Sequence, residues 1–386
     1  MSGKIIVFNS GSATLKFKLF DVKNNKISIL KRGLVDNIGQ GTGPKNHKVA
    51  LSILFQGIGV GMPSLGKIEN LKAIGHRVVY GGDKFSSTTL VTKKIIKELE
   101  KYNFIAPLHN PKIIEVMNEV ISQSGHKGHR DIPNYAVFDS HFFKDLPDVS
   151  KIYPLPYRFY TDYGIKRNGF HGISHKFVVS KIMEKYPNVD KIISVHLGGG
   201  CSVAAVKDGK PIDTSMGFTP LEGLMMTTRP GDIDVGIIHY LIEKKILKHS
   251  EVDHILNNES GLLGISGLDN DMRELLYVAG YEKEDPDFQS KYYPSYITDE
   301  KIKQVRLAID MFIYRIKKYI GAYTAILGGC DVLIITGKMG YGSKIIRSLI
   351  MSNLDFILRN SKVEVIETDE EYQIASEIVK LIEKEE

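Results

Sequence analysis

Apolar and polar positions change period several times along the chain. Ile5-Ile6-Val7-Phe8 is an unbroken apolar run of strand length; Asn9-Ser10-Gly11-Ser12 follows, and then the alternating Leu15-Lys16-Phe17-Lys18-Leu19-Phe20. This pattern predicts a buried strand, a tight polar tip and a return strand, which together make a β-hairpin. A second segment of the same design starts at Ile192-Ile193-Ser194-Val195, turns through His196 to Ser202 and returns along Val203-Ala204-Ala205-Val206. One such hairpin opens each half, which predicts a duplicated architecture. Ala136-Val137-Phe138, Val332-Leu333-Ile334-Ile335 and Val363-Glu364-Val365-Ile366 read as further strands. Helical spacing places Ile302, Val305, Ile309, Phe312, Ile313, Ile316 and Ile320 on one face, and Ile374, Ile378, Leu381 and Ile382 on one face of a terminal helix over 370–385. Thr368 with Glu371 reads as a capping box for that last helix. The mixture of strands and helices predicts an α/β class.

Composition narrows the class. The chain has 386 residues, 42% hydrophobic and 25% charged, which fits two or three globular domains and not a disordered chain. Its two cysteines, Cys201 and Cys330, are too few for a disulfide framework and fit a reducing compartment. A net charge of +6 without a dense Lys/Arg block suits small anions and not nucleic acid. No apolar segment with a small-residue cleavage site follows Met1, so the expected location is cytoplasmic, with no membrane partner. The nearly uncharged stretch from Tyr319 to Gly337 contains Asp331 and Gly328-Gly329, and reads as a helix end, a turn and a buried strand.

Candidate chemistry gathers at the hairpin tips. A tip of Gly and Ser can turn backbone N–H groups toward a phosphate. Asn9, Ser10, Ser12, Thr14 and Lys16 cluster at the first tip and Gly198 to Ser202 at the second. Neither tip is a G-x-x-x-x-G-K-[ST] loop, and no G-x-G-x-x-G opens a helix after a strand. Arg77, Asp139 and Arg229 lie inside apolar or glycine-rich runs, where charge is costly unless paired or used. Each taken alone reads as half of an ion pair, but together beside two phosphate tips they point to guanidinium recognition of carboxylate and phosphate. His171 and His175 have i, i+4 spacing but lack the Glu and third ligand of a zinc site. His171 is therefore read as a donor to a phosphoryl oxygen and His175 as structural. No activating neighbour marks either cysteine as a nucleophile.

These motifs occur together in one family. The chain resembles the acetate kinases, of the superfamily that also holds sugar kinases, heat-shock chaperone ATPases and actin. The resemblance spans nearly the whole length and rests on Asn9 to Phe17, Gly75 to Gly82, Ala106 to Pro111, Phe138-Asp139, Gly169 to His175, DTSMGFTPLEGLMMTTRPGDID from Asp213 to Asp234, Ser260 to Gly264, Asp271 to Arg273, and Asp369 to Glu371. It implies a duplicated ribonuclease-H-like (actin-like ATPase) fold with two domains around a central cleft, 1–140 plus 370–386 and 141–369. The implied activity is reversible phosphoryl transfer from ATP to acetate, giving acetyl phosphate and ADP. Mg²⁺ is the implied cofactor, with Mn²⁺ able to substitute, and the implied assembly is a homodimer.

The resemblance also implies roles for individual residues. Arg77 and Arg229 would hold the carboxylate and the moving phosphoryl group, Asp139 would act as acid/base or polarising carboxylate, and His171 would hydrogen-bond the phosphoryl oxygens. Val79, Leu108, Phe170 and Pro220 would surround the acetate methyl. Asn9 and Glu370 would organise the metal. Lys16, His196, Leu197, Gly198, Gly199, Gly200, Asp271, Met272, Arg273, Lys338, Met339, Gly340, Tyr341 and Gly342 would bind the nucleotide.

The chain departs from the family pattern at four places. Tyr80 stands for a histidine, Gly199 for an asparagine and Ala13 for a serine, and Lys338-Met339-Gly340-Tyr341-Gly342 stands where the family has GIGEN. The altered loop leaves two donors open: pyrophosphate, or ATP with weakened adenine selectivity. The intact Asp271-Met272-Arg273 favours ATP, with Lys338 swung aside toward a phosphate. Propionate could also replace acetate as acceptor, and the same scaffold could serve a binding protein without catalysis.

Overall fold

The computed structural model describes residues 2–11, 13–39, 41–56, 68–85, 87–107, 109–124 and 132–385. Two of the expected site residues, Ser12 and Leu108, lie outside them. The chain forms two compact units. The first is Met1–Lys144 with Phe170–Phe177 and Asp369–Glu386; the second is Asp145–Gly169 with Val178–Thr368.

The first unit is built on strands β1 (Gly3–Ser10), β2 (Leu15–Lys23), β3 (Lys26–Val35), β4 (Leu71–Val78), β5 (Thr89–Leu90) and β6 (Asn134–Phe138). They lie in the order β3-β2-β1-β4-β6-β5. β1 to β3 form an antiparallel meander, while β4 and β6 run parallel to β1. The second unit repeats this plan with β7 (Lys191–Leu197), β8 (Cys201–Lys207), β9 (Lys210–Thr214), β10 (Val332–Thr336) and β11 (Lys362–Val365), in the order β9-β8-β7-β10-β11. Here too the first three strands are an antiparallel meander and the next two are parallel to its first strand. The duplication expected from two hairpins is therefore a duplication of the whole sheet, and each copy has the ribonuclease-H-like strand order.

The unbroken apolar run of β1 reflects a strand covered on both faces. Ile6 and Phe8 pack with Ala50, Leu51 and Leu54 of the helix His47–Gln56 and with Val116 and Val120 of the helix Asn110–Ser124. Ile5 and Val7 pack on the other face against Ile173, Ile374, Ala375 and Ile378. The terminal helix Glu370–Glu385 thus closes the sheet on which the chain began. Its cap differs from the expected Thr368–Glu371 box. Asp369 caps it, accepting from the Tyr372 N–H at 2.8 Å, which leaves Glu371 free to turn toward Asn9.

In the second unit the helix Asp299–Leu327 buries Val305, Ile309, Phe312, Ile313, Ile316 and Ile320, the stripe read from its spacing. Thr298 caps its start, and Gly328 ends it at a φ of 66°, before β10. Among the described residues no helix is long and apolar enough to cross a membrane.

Candidate active site

Asn9, Arg77 and Asp139 lie at the carboxyl ends of three neighbouring strands, β1, β4 and β6, which run in the same direction. Side chains at such strand ends converge where open α/β sheets bind ligands. Arg77 Nη2 is 2.7 Å from Asp139 Oδ2, and its Nε also donates to the carboxylate, at 3.2 and 3.3 Å. Its Nη1 donates to Asn9 Oδ1 at 3.2 Å and to Glu370 Oε2 at 3.3 Å. Asn9 Nδ2 in turn donates to Glu370 at 2.8 Å and to Glu371 at 2.6 Å.

Asp139 also accepts from the Ile173 N–H at the start of the helix Gly172–Lys185. Position 172 is glycine because a Cβ there would collide with the Asp139 carbonyl. Burial pushes the Asp139 carboxyl up to about 6, against the pull of Arg77. Burial also works against the Arg77 charge, yet Asp139, Glu370 and Glu371 outweigh it and raise its pKa above the ordinary value.

Spacing along the chain does not reveal all of this cluster. Lys18, not the tip residue Lys16, is the lysine that engages it, at 2.8 Å from Asp369 and 3.2 Å from Glu371. The alternation of β2 leaves Lys16 exposed, opposite Asn9 in the register. Two cationic side chains, Arg77 and Lys18, thus face the four carboxylates of Asp139, Asp369, Glu370 and Glu371. That excess of negative charge, with the hard oxygens of Asn9 and Glu370, fits a divalent cation. Among the described residues no three His, Cys, Asp or Glu side chains form a metal cage.

His171, Phe170 and Val79 belong to the same unit. His171 has a left-handed φ of 55°, a conformation that costs a non-glycine residue about 1–3 kcal/mol and tends to mark functional sites. Phe170 is buried against the ring of Tyr80, 6.2 Å between centroids, and Val79 is buried beside Tyr80 in the chain. His175 is fully buried and packs edge-on against Phe143, in keeping with its structural reading.

The second unit gathers the other expected residues. The β7–β8 tip, His196 to Gly200, is tied to the turn that carries Arg229: the Thr227 hydroxyl donates to the Gly199 carbonyl at 2.9 Å. Arg229 is 7% exposed, and its Nη1 donates to the carbonyl of the buried Pro220 at 2.9 Å. Its Nε finds no acceptor, and among the described residues no carboxylate pairs with it. Burial lowers its pKa, opposed only by the Cys201 thiol among the described residues.

Asp271 caps the helix Met272–Val278 and is gripped by Arg273, with Nη2 to Oδ2 at 2.6 Å. Burial works against the Asp271 charge, but hydrogen bonds from Arg273 and the nearby Lys338 ammonium hold its pKa below the ordinary value. The stretch Lys338 to Gly342, expected as a loop, is a helical turn, Gly337–Gly342. Arg347 stabilises it by donating to the Gly340 carbonyl at 2.8 Å and the Tyr341 carbonyl at 2.5 Å. Lys338 and Tyr341 are exposed there.

The profile of the acetokinase family matches residues 4–360. The acetate kinase of Thermoanaerobacter pseudethanolicus is 39% identical, across 98% of this chain and 99% of that one. The chain belongs to the acetokinase family. Other members agree in extent: the acetate kinase of Bacteroides thetaiotaomicron is 38% identical across 99% of this chain and all of its own. Among solved structures, the acetate kinase of Porphyromonas gingivalis superposes with a TM-score of 0.79 at 31% identity, over 99% of this acetokinase and 100% of that chain. A propionate kinase from Francisella tularensis gives 0.81 at 32% identity, over 98% and 99%.

Proposed function

We propose that this acetokinase is an acetate kinase, transferring a phosphoryl group reversibly between ATP and acetate to give acetyl phosphate and ADP, with Mg²⁺. The observation that carries this reading is Arg229, a buried guanidinium that among the described residues has no carboxylate beside it and an Nε without an acceptor. A buried charge left in that state is destabilising, and an anion that comes and goes with turnover supplies what is missing.

In the reaction an acetate oxygen attacks the terminal phosphorus of ATP. The new O–P bond forms as the bond to the bridging oxygen breaks, and that oxygen leaves on ADP. Acetate is already ionised at neutral pH, so no strong base is required. Positioning and charge neutralisation then dominate the barrier. Arg77 and Arg229 hold the carboxylate and the moving phosphoryl group, and His171 donates to phosphoryl oxygens as charge builds. Asp139 fixes the orientation of Arg77 through its two-pronged contact. Asn9 and Glu370 would hold the Mg²⁺, which would neutralise phosphate charge when bound. Val79, Leu108, Phe170 and Pro220 are assigned to the acetate methyl. Lys16, His196 to Gly200, Asp271 to Arg273 and Lys338 to Gly342 are assigned to the nucleotide. The exposure of Lys338 supports ATP with relaxed base selectivity over a blocked adenosine site.

A homodimer is supported by the helix Val235–Glu243, which buries none of its residues and exposes Val235, Ile237 and Tyr240. A cytoplasmic location is supported by two unpaired cysteines, both buried.

The test is trapping of acetyl phosphate as its hydroxamate, with acetate and a panel of ATP, GTP and pyrophosphate. ATP is expected to work, and GTP to substitute well. Activity with pyrophosphate alone would change the donor, and no product with any donor would leave a binding protein.

A further inference from the structure

The segment from Gly217 to Asp232 carries both Pro220 and Arg229, and it is held from outside by side chains that no catalytic role claims. Its first part is tied by Tyr153, whose hydroxyl oxygen accepts from the Phe218 N–H at 2.7 Å while its proton goes to Glu222. Arg167 grips the other oxygen of Glu222 at 2.7 Å. The last part is closed at a neck. There the Gly223 N–H donates to Asp232 Oδ1 at 2.8 Å and the Asp232 N–H donates back to the Gly223 carbonyl at 3.0 Å. Position 223 is glycine because its φ is 103° and a Cβ would press on the Ser215 backbone.

Asp232 is the centre of the neck. Its second carboxylate oxygen accepts from the Tyr319 hydroxyl at 2.8 Å, and its carbonyl accepts from Arg315 Nη1 at 3.0 Å. Both donors stand on the helix Asp299–Leu327, the longest helix of this unit. The neck encloses Arg229, whose carbonyl accepts from Met226 at 2.9 Å. Among the described residues Arg229 itself makes one guanidinium hydrogen bond, to a carbonyl on the same segment. Its position is therefore set by the backbone that carries it, through the closure at Asp232 and the hydrogen bonds of Met226, Thr227 and Thr228 to Gly199, Asn257, Ser260, Leu262 and Leu263, and not by a counter-ion.

We propose that Asp232 and Tyr319 form a latch that fixes Arg229 on the reacting anion, and that both are positioning residues for phosphoryl transfer. A displacement of about 1 Å in a catalytic group can cost a hundredfold in rate, so loosening one contact of the latch should be visible in turnover. The inference rests on the acetate kinase reading for its kinetic readout, and on anion binding alone for its second.

The test is a double-mutant cycle of Tyr319→Phe with Arg229→Ala, read as kcat for acetyl phosphate formation and as the rise in melting temperature caused by inorganic phosphate. Tyr319→Phe is expected to lower kcat about tenfold and to reduce the phosphate-induced shift. In the Arg229→Ala background it should change kcat by less than about twofold, because the residue it acts through is gone. Equal losses in both backgrounds, or no loss in the wild-type background, overturn the latch. If Tyr319→Phe does not fold, Arg315→Met runs the same cycle by freeing the Asp232 carbonyl. A wild type that makes no acetyl phosphate, yet loses its phosphate response on Tyr319→Phe, keeps the latch and removes the acetate kinase reading.

Discussion

Two buried arginines show how differently the two units treat a positive charge. Arg77 in the first unit is surrounded by acceptors: Asp139, Glu370 and Asn9 all take hydrogen bonds from it. Arg229 in the second unit is the more deeply buried of the two, and among the described residues its guanidinium has one backbone carbonyl. The first is part of a finished ion network, in which carboxylates and an amide already offset its charge. The second is an unfinished one, which an incoming anion would complete. The same residue type in the two units of a duplicated fold thus has its charge offset by the protein in one and left for a ligand to offset in the other.

The largest effects should come from removing either arginine. Arg77→Ala and Arg229→Ala are each expected to lower kcat by about 10²–10³, as measured by acetyl phosphate formation. Near-normal turnover in a folded variant would remove that residue from the reaction.

Stability should then separate the two. Arg77→Met leaves Asp139 and Glu370 facing each other without their cation, and should lower unfolding free energy by about 3–5 kcal/mol. Arg229→Met removes a buried charge with no counter-ion, and should leave stability unchanged or raise it. Denaturant titration of both variants measures the difference, and equal losses would erase the contrast.

Acid should weaken the first unit in a way that sharpens it. His76, beside Arg77 on β4, is buried and donates from Nε2 to Asn134 Oδ1 at 2.8 Å; burial lowers its pKa to about 4. The unfolded chain therefore binds more protons than the folded one between about pH 6.5 and pH 4, and stability falls as pH drops through that window. The expected loss from His76 is about 3 kcal/mol. His76→Gln should flatten this part of the stability profile, and an unchanged slope would assign the loss to other groups.

The smallest effect concerns the acyl chain. One methylene in an apolar pocket discriminates by about 1–3 kcal/mol, so propionate should be a poorer substrate than acetate by kcat/KM and not an excluded one. A higher value for butyrate than for acetate would contradict the assignment of Val79, Leu108, Phe170 and Pro220.

How far the sequence spoke depended on the range of the interaction. Strand β1, its repeat at β7 and the buried stripe of the helix Asp299–Leu327 were legible because period and run length are local. Arg77 and Asp139 were legible as charges in apolar surroundings, and their contact is the ion pair that such placement suggests. Lys18 was not distinguishable from Lys16, because only the pleat and the docking of the distant Asp369 and Glu371 decide which lysine meets acid. The terminal cap moved from Thr368 to Asp369 for the same reason, since Glu371 is drawn away to Asn9. The turn at Gly337–Gly342 was hidden because Arg347, outside the motif, holds its carbonyls. Asp232 and Tyr319 are far apart in sequence, and no spacing rule pairs them.

The most direct test of the central claim is the melting temperature of wild type and Arg229→Met against rising inorganic phosphate. If Arg229 is completed by an anion, phosphate should stabilise the wild type progressively, as any ligand of the folded state does. Arg229→Met should begin at the same temperature or higher and respond little. A phosphate shift in Arg229→Met as large as in the wild type would show that the anion binds elsewhere and that the buried guanidinium does not await it.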